Sequence, residues 1–243
     1  MLNTAQEIIK KCNDENIHFY DLVLEDQTKS LKISEEEMKS RLREILNEMK
    51  KSSQNTLEKS YDTEYKMIDG FAKKMFDYQK EKEPVTNKAL VRAMAMAFST
   101  SETNANMGTI AAAPTAGSSG ILPAALMAMS DKFDLDDDVL INGLLTAIGI
   151  GQIIGKYATF AGAEGGCQAE CGSASAMAAG AIVEMLGGTV EEALNAASIT
   201  FINVMGLACD PIAGLVEYPC TFRNSSGVMN SLTVSYTHLT LPT

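Results

Sequence analysis

The sequence has no tryptophan, two histidines and only 6% aromatic residues. A β-sandwich core draws on aromatic and β-branched side chains. Alanine, glycine and fourteen methionines stand in their place here, so the expected fold class is all-α, with closely packed helices. Positive charge is also scarce: 20 Lys and Arg face 31 Asp and Glu, a formal charge of −11. With no basic surplus to neutralise phosphates or anionic headgroups, neither nucleic acid nor a membrane surface is an expected partner. The opening stretch, MLNTAQEIIKKCNDEN, lacks the continuous apolar run of a signal peptide. Val139 to Gly155 approaches the length of a membrane span but carries Asn142, Gln152 and glycines at 143, 149, 151 and 155. That pattern predicts a buried helix in close contact with its neighbours. Five cysteines leave one over if they pair, so reduced thiols in a cytoplasmic setting are expected rather than a disulfide framework.

A length of 243 residues suits one or two domains, and the composition changes along it. Residues 1–85 hold most of the lysines in amphipathic helices. Ser34 and Glu37 have capping-box spacing ahead of Met38, Leu42, Ile45, Leu46 and Met49. A further helix is predicted over 64–82, with Tyr65, Ile68, Phe71, Ala72, Met75 and Phe76 inward and Pro84 beyond its end. Residues 86–232 turn to Ala, Gly, Met and Ile, with helices predicted near 86–99, 122–130, 136–159, 170–187 and 189–205. Asp134 or Asp136 is placed to cap the third of these. The last stretch, TVSYTHLTLPT (233–243), breaks the pattern. It resembles translated adaptor sequence and is expected to be a non-native tail after a chain truncated near Leu232. His238 lies in that tail, and His18 is expected to be a surface or interface residue.

Between the helices lie segments of small residues with little charge, at 107–123, 162–172 and 209–220. Cys167, Cys209 and Cys220 fall in these segments or at their edges, whereas Cys12 sits in an N-terminal helix. No C-x2-C knuckle or cysteine–histidine set of a zinc site occurs, nor the close cysteine run of a ferredoxin. Three separated thiols on glycine-rich loops suit a cubane cluster with one iron lacking a protein ligand, able to act as a Lewis acid. Small cysteines packed as hydrophobes in a non-catalytic helical assembly subunit are the alternative. Cys171 adds a third reading: four residues after Cys167 on a helix, it would share that face and close the site as a structural or redox centre. GAEGG before Cys167 predicts a turn, which places Cys167 at a helix N-terminus and Cys171 one turn deeper, packed.

Three segments carry a resemblance: MGTIAAAPTAGSSGILPA (107–124), GAEGGCQAECGSASAMAAG (162–180) and CDPIAGLVEYPCTFRN (209–224). They resemble the iron–sulfur-dependent L-serine dehydratases, and specifically the α-subunit of the two-subunit form, from about residue 86 to 232 and more loosely before. The resemblance implies an all-helical catalytic part binding a [4Fe–4S] cluster through Cys167, Cys209 and Cys220. It implies conversion of L-serine to pyruvate and ammonia, without pyridoxal phosphate. The open iron would coordinate the serine hydroxyl, a base would take the α-proton, and the released aminoacrylate would tautomerise and hydrolyse. A separate β-subunit would complete the enzyme. Family chains continue several dozen residues past this point, and Cys171 is not among the matched ligands.

Other polar residues group around the same segments. Thr115, Ala116, Gly117, Ser118 and Ser119 precede an apolar helix, where amides and hydroxyls suit a carboxylate; the G-K-[ST] of a phosphate loop is missing. Arg223 and Asn224 follow Cys220 and are candidate substrate-binding residues with the loop. Arg223 suits the substrate carboxylate or the cluster charge, or else an ion pair with Glu217 or Glu164. Glu164 and Glu170 flank Cys167 and are read as loop-holding groups rather than an acid–base pair. Lys156 is a candidate base if burial lowers its pKa, and otherwise a helix C-cap. The α-proton base is not legible.

Overall fold

The computed structural model describes residues 4–240. Its helices are α1 (Ala5–Glu15), α2 (Phe19–Leu31), α3 (Glu35–Gln54), α4 (Phe71–Glu81), α5 (Lys88–Ala105), α6 (Ile121–Phe133), α7 (Asp137–Tyr157), the single turn α8 (Gly162–Gly165), α9 (Cys167–Met185), α10 (Val190–Ile202) and α11 (Cys220–Thr240). A 3-10 turn covers Ile212–Gly214, and no strand occurs among the described residues. The chain is all-α, as its composition predicts.

The centre is α9. Cys171 through Glu184 are buried on every side of this helix, and its glycines, alanines and serines let α6, α7, α10 and α11 pack directly on it. Leu42, Leu46 and Phe19 share one apolar core with Leu126, Leu145 and Ile182, so helices from both sides of residue 85 bury each other's faces. Helix α7 is long and apolar enough to cross a membrane by length and composition. Half of that stretch is buried against the protein, however, and α7 packs on α9 and α2. Gly149 makes this fit possible: a β-carbon there would stand 2.6 Å from both Phe19 Cζ and Val23 Cγ2.

Helix ends follow local chemistry at several of the predicted points. Asp136, not Asp134, caps α7, accepting from the amides of Asp138 and Val139 at 3.0 Å each; Asp134 closes α6 with φ at 54°. Ser34 Oγ accepts from the Glu37 amide at 3.1 Å. The return bond of the expected box is not made, because the Glu37 carboxylate pairs with Arg41 at 2.6 Å. Ile45 faces solvent at 42% exposure, off the buried stripe of Met38, Leu42, Leu46 and Met49.

Two predicted boundaries are displaced. The helix expected over 64–82 begins only at Phe71. Asp69 accepts from the Thr63 amide and hydroxyl, both at 2.7 Å, and Lys66 and Gly70 take positive φ, so 63–70 closes as a turn with Tyr65 exposed. The change of pattern expected after Leu232 does not end helix α11, which runs on to Thr240. Ser231, Ser235 and Thr237 bond back to the carbonyls of Val228, Leu232 and Val234 at 2.7–3.0 Å. Their hydroxyls are thereby satisfied within the helix, and Val234 and His238 are buried. Residues 241–243 of the expected tail lie outside the described residues.

Two buried glutamates cap helix starts from distant positions in the sequence. Glu102 on α5 accepts from the Ala72 amide at 3.0 Å, at the start of α4, where Gly70 offers no side chain. Glu184 on α9 accepts from the Phe19 amide at 2.6 Å and from the Thr146 hydroxyl, and so fixes α2 to α7 and α9. Burial pushes both carboxyls above their ordinary value. Exposed His18 lies 4.0 Å from Glu184.

Candidate active site

The cysteine-bearing segments meet where α9 and α11 begin. Gly166 sits at φ +78°, and a β-carbon there would stand 2.7 Å from the Leu207 carbonyl. Glycine therefore lets segment 206–209 lie against the start of α9. Gln168 fastens it: its amide donates to the Leu207 carbonyl at 3.0 Å, and its side-chain oxygen accepts from the Gly206 amide at 2.8 Å. Cys209 is brought in this way beside Cys167, the first residue of α9. Cys220 is the first residue of α11, and one turn later Arg223 reaches back. The Arg223 guanidinium donates to Cys167 Sγ at 2.8 Å and to the Ala208 carbonyl at 2.9 Å, and it pairs with Asp210. Its acidic partner is thus Asp210 and not Glu217 or Glu164. Glu164 instead accepts from Thr159 at 2.8 Å.

The thiols do not share one environment. The Cys171 thiol, then the Arg223 guanidinium, pull the Cys167 thiol below its ordinary range against the effect of burial. Cys171, bonded to the Cys167 sulfur and buried, is pushed strongly up. Burial pushes Cys220 up to about 11, with the charge of Cys167 adding to it. Burial, then Cys167, also raises exposed Cys209. Of the four thiols, Cys167 is the one whose surroundings favour the thiolate, at a helix N-terminus and beside a guanidinium.

The small-residue loop forms the other wall. Thr115 is half-buried, Ala116 is exposed, and Gly117, Ser118 and Ser119 are buried. Thr115 Oγ1 accepts from the Ser118 amide at 3.3 Å and donates to Glu170. Ser119 Oγ donates to the Ala116 carbonyl at 2.7 Å. Asn224, 1% exposed, donates to the carbonyls of Gly117 (2.6 Å) and Cys220 (2.9 Å) and accepts from the Gly120 amide at 2.9 Å. The Asn224 amide is fully committed to backbone and holds the loop on α11. Lys156 is exposed at the end of α7, without the burial that a basic role required of it. Asp210 and Asn224's clamp on the loop were missed from sequence. The adjacency of Asp210 to Cys209 was the one available signal.

A cubane cluster binds its thiolates at separate corners, so its ligands need not converge on one point. Among the described residues no three Cys, His, Asp or Glu side chains gather tightly enough for a single metal ion. Three thiols from three segments, two of them at helix N-termini with an arginine beside them, are a donor set that fits an anionic cluster.

Fold and site together define a helical protein whose thiol-bearing segments, two of them helix starts, lie beside a small-residue loop at the start of its central helix. The family described as serine dehydratase alpha chain matches residues 14–240. The L-serine dehydratase alpha chain of Peptoniphilus asaccharolyticus is 63% identical over 231 residues, covering 95% of this chain and 79% of that protein. The "Probable L-serine dehydratase, alpha chain" of Bacillus subtilis is 37% identical over 232 residues, or 96% and 77% of the two chains. An L-serine dehydratase of Mycobacterium tuberculosis is 46% identical over 134 residues, 54% of this chain and 29% of that one. This chain belongs to the serine dehydratase alpha-chain family.

Proposed function

We propose that this chain is the catalytic α-subunit of an iron–sulfur-dependent L-serine dehydratase, a lyase that forms pyruvate and ammonia from L-serine without pyridoxal phosphate. The observation that supports the reading is that Cys167, Cys209 and Cys220 lie near enough for Cys167 to raise the thiols of the other two, with Arg223, three residues after Cys220, donating to Cys167 and to the Ala208 carbonyl beside Cys209. These three thiols would hold a [4Fe–4S] cluster, whose iron without a protein ligand supplies Lewis acidity toward the substrate hydroxyl. Arg223 and the N-termini of α9 and α11 stabilise negative charge on the sulfurs. The substrate carboxylate is assigned to the open edge of the Thr115–Ser119 loop and to Arg223. Elimination of the hydroxyl and the α-proton gives aminoacrylate, which tautomerises and takes up water as ammonia leaves.

A β-subunit partner is part of the same reading. Ile202, Met205, Ile212 and Val216 flank Cys209 in sequence and are exposed, a surface that suits a protein partner. Five free cysteines favour a reducing, cytoplasmic setting, and the protein's role would lie in amino-acid catabolism or gluconeogenesis. The closed four-thiol centre draws support from one contact, that between Cys171 and Cys167. The test is pyruvate formation from L-serine by the chain combined with its β-subunit. Cys167→Ser, Cys209→Ser and Cys220→Ser should each abolish turnover, and Cys171→Ser should retain it. Loss in Cys171→Ser with loss of iron favours the closed centre, and turnover surviving all four changes refutes both readings.

A further inference from the structure

Glu170 lies one turn into α9 from Cys167, and its carboxylate occupies the space between three segments. Thr115 Oγ1 donates to it from the small-residue loop. A β-carbon built at Gly117 would stand 2.6 Å from Glu170 Oε1, and one built at Gly162 would stand 3.0 Å from Oε2 and 3.4 Å from Cys209 Sγ. Two backbone segments therefore leave room for this carboxylate by having no side chain. The contact also passes onward, because Thr115 Oγ1 meets the Ser118 hydroxyl at 3.1 Å and the Ser118 amide at 3.3 Å. At its other end the loop is held by Asn224, through Gly117 and Gly120.

We infer that Glu170 is a positioning residue: it pins the Thr115 end of the small-residue loop to α9 beside Cys209 and so sets where the carboxylate of L-serine sits relative to the thiols. This rests on the substrate reading above. A carboxylate at such a place has a competing use, direct contact with the substrate ammonium, and the two differ in what an amide can replace. Glutamine keeps an oxygen that accepts from Thr115 but has no charge for an ammonium.

The experiment compares Glu170→Ala, Glu170→Gln and Gly117→Ala in the complex with the β-subunit, measuring KM and kcat for L-serine and iron per chain. Amide hydrogen exchange of residues 115–120 is followed in the same variants without substrate. Glu170→Ala is expected to raise KM about tenfold with kcat changed less than about threefold, to keep its iron and to speed exchange across 115–120. Glu170→Gln should recover most of both losses. Gly117→Ala, whose methyl displaces the carboxylate, should reproduce the alanine phenotype. Glu170→Gln as impaired in KM as Glu170→Ala overturns the inference in favour of ammonium contact, and a collapse of kcat alone overturns it in favour of a chemical role. Unchanged exchange in Glu170→Ala overturns it outright. If the parent complex turns over no serine, the substrate reading fails, and the exchange comparison still decides whether Glu170 holds the loop.

Discussion

Replacing Asn224 by alanine should loosen the substrate wall more than any other single polar change at the site. The side chain makes three hydrogen bonds in a position 1% exposed. The Cys220 carbonyl lies four residues back on the same helix and keeps its helical partner, so its loss is minor. The Gly117 carbonyl and Gly120 amide have no such substitute and would be left buried. Each orphaned backbone group costs about 1–3 kcal/mol, so Asn224→Ala should lose about 2–6 kcal/mol. With an m-value of about 2 kcal/mol per molar urea, the unfolding midpoint should fall by about 1–3 M. Asn224→Asp keeps the acceptor for Gly120 but turns a carboxylate toward two carbonyls. It should be the less stable variant at neutral pH and recover as acid protonates the new group and restores a donor. Urea titrations at two pH values, followed by helical circular dichroism, read both effects. A loss below about 1 kcal/mol for Asn224→Ala, or identical pH behaviour of the two variants, would refute the clamp.

Two further outcomes follow from the packing. Burial raises the Glu184 carboxyl above its ordinary value, so the stability tied to its protonation is complete below about 4.5 and is lost as pH rises through the raised value. Glu184→Gln keeps an acceptor for the Phe19 amide and should melt higher than the parent at pH 8, with the gain vanishing toward pH 4.5; a lower melting temperature at pH 8 would show that the carboxylate charge is needed at the α2 N-terminus. Gly149→Ala gains about 1 kcal/mol of helix propensity but drives a methyl into Phe19 and Val23, both fully buried, at about 1–3 kcal/mol. The variant should melt lower than the parent, and a higher melting temperature would mean that α2 shifts freely on α7.

Helices α5, α6, α7, α9 and α10 were legible because their apolar residues recur through them and some ends carry ordinary signals, such as Asp136 before α7. The site loops were legible because small residues and cysteines stand where charged residues usually fill a connection. What stayed hidden depends on contacts distant in sequence. The turn ahead of α4 exists because Asp69 reaches back to Thr63, and α4 is capped by Glu102 from another helix; neither leaves a local pattern. The Thr- and Ser-rich end of α11 looks unhelical by propensity, yet its hydroxyls are satisfied by the helix itself. Arg223 was recognised as important, but whether it would meet Asp210 or a more distant glutamate depended on how segment 206–210 folds onto α9.

The claim that the three thiols hold a catalytic cluster is tested most directly by counting iron and sulfide. The chain would be purified anaerobically, reconstituted with both, and compared with Cys167→Ser, Cys209→Ser, Cys220→Ser and Cys171→Ser. The account predicts about four of each per chain, lost in the first three variants and kept in the fourth. A folded chain that takes up no iron, or one that holds its full complement without Cys209, would contradict it.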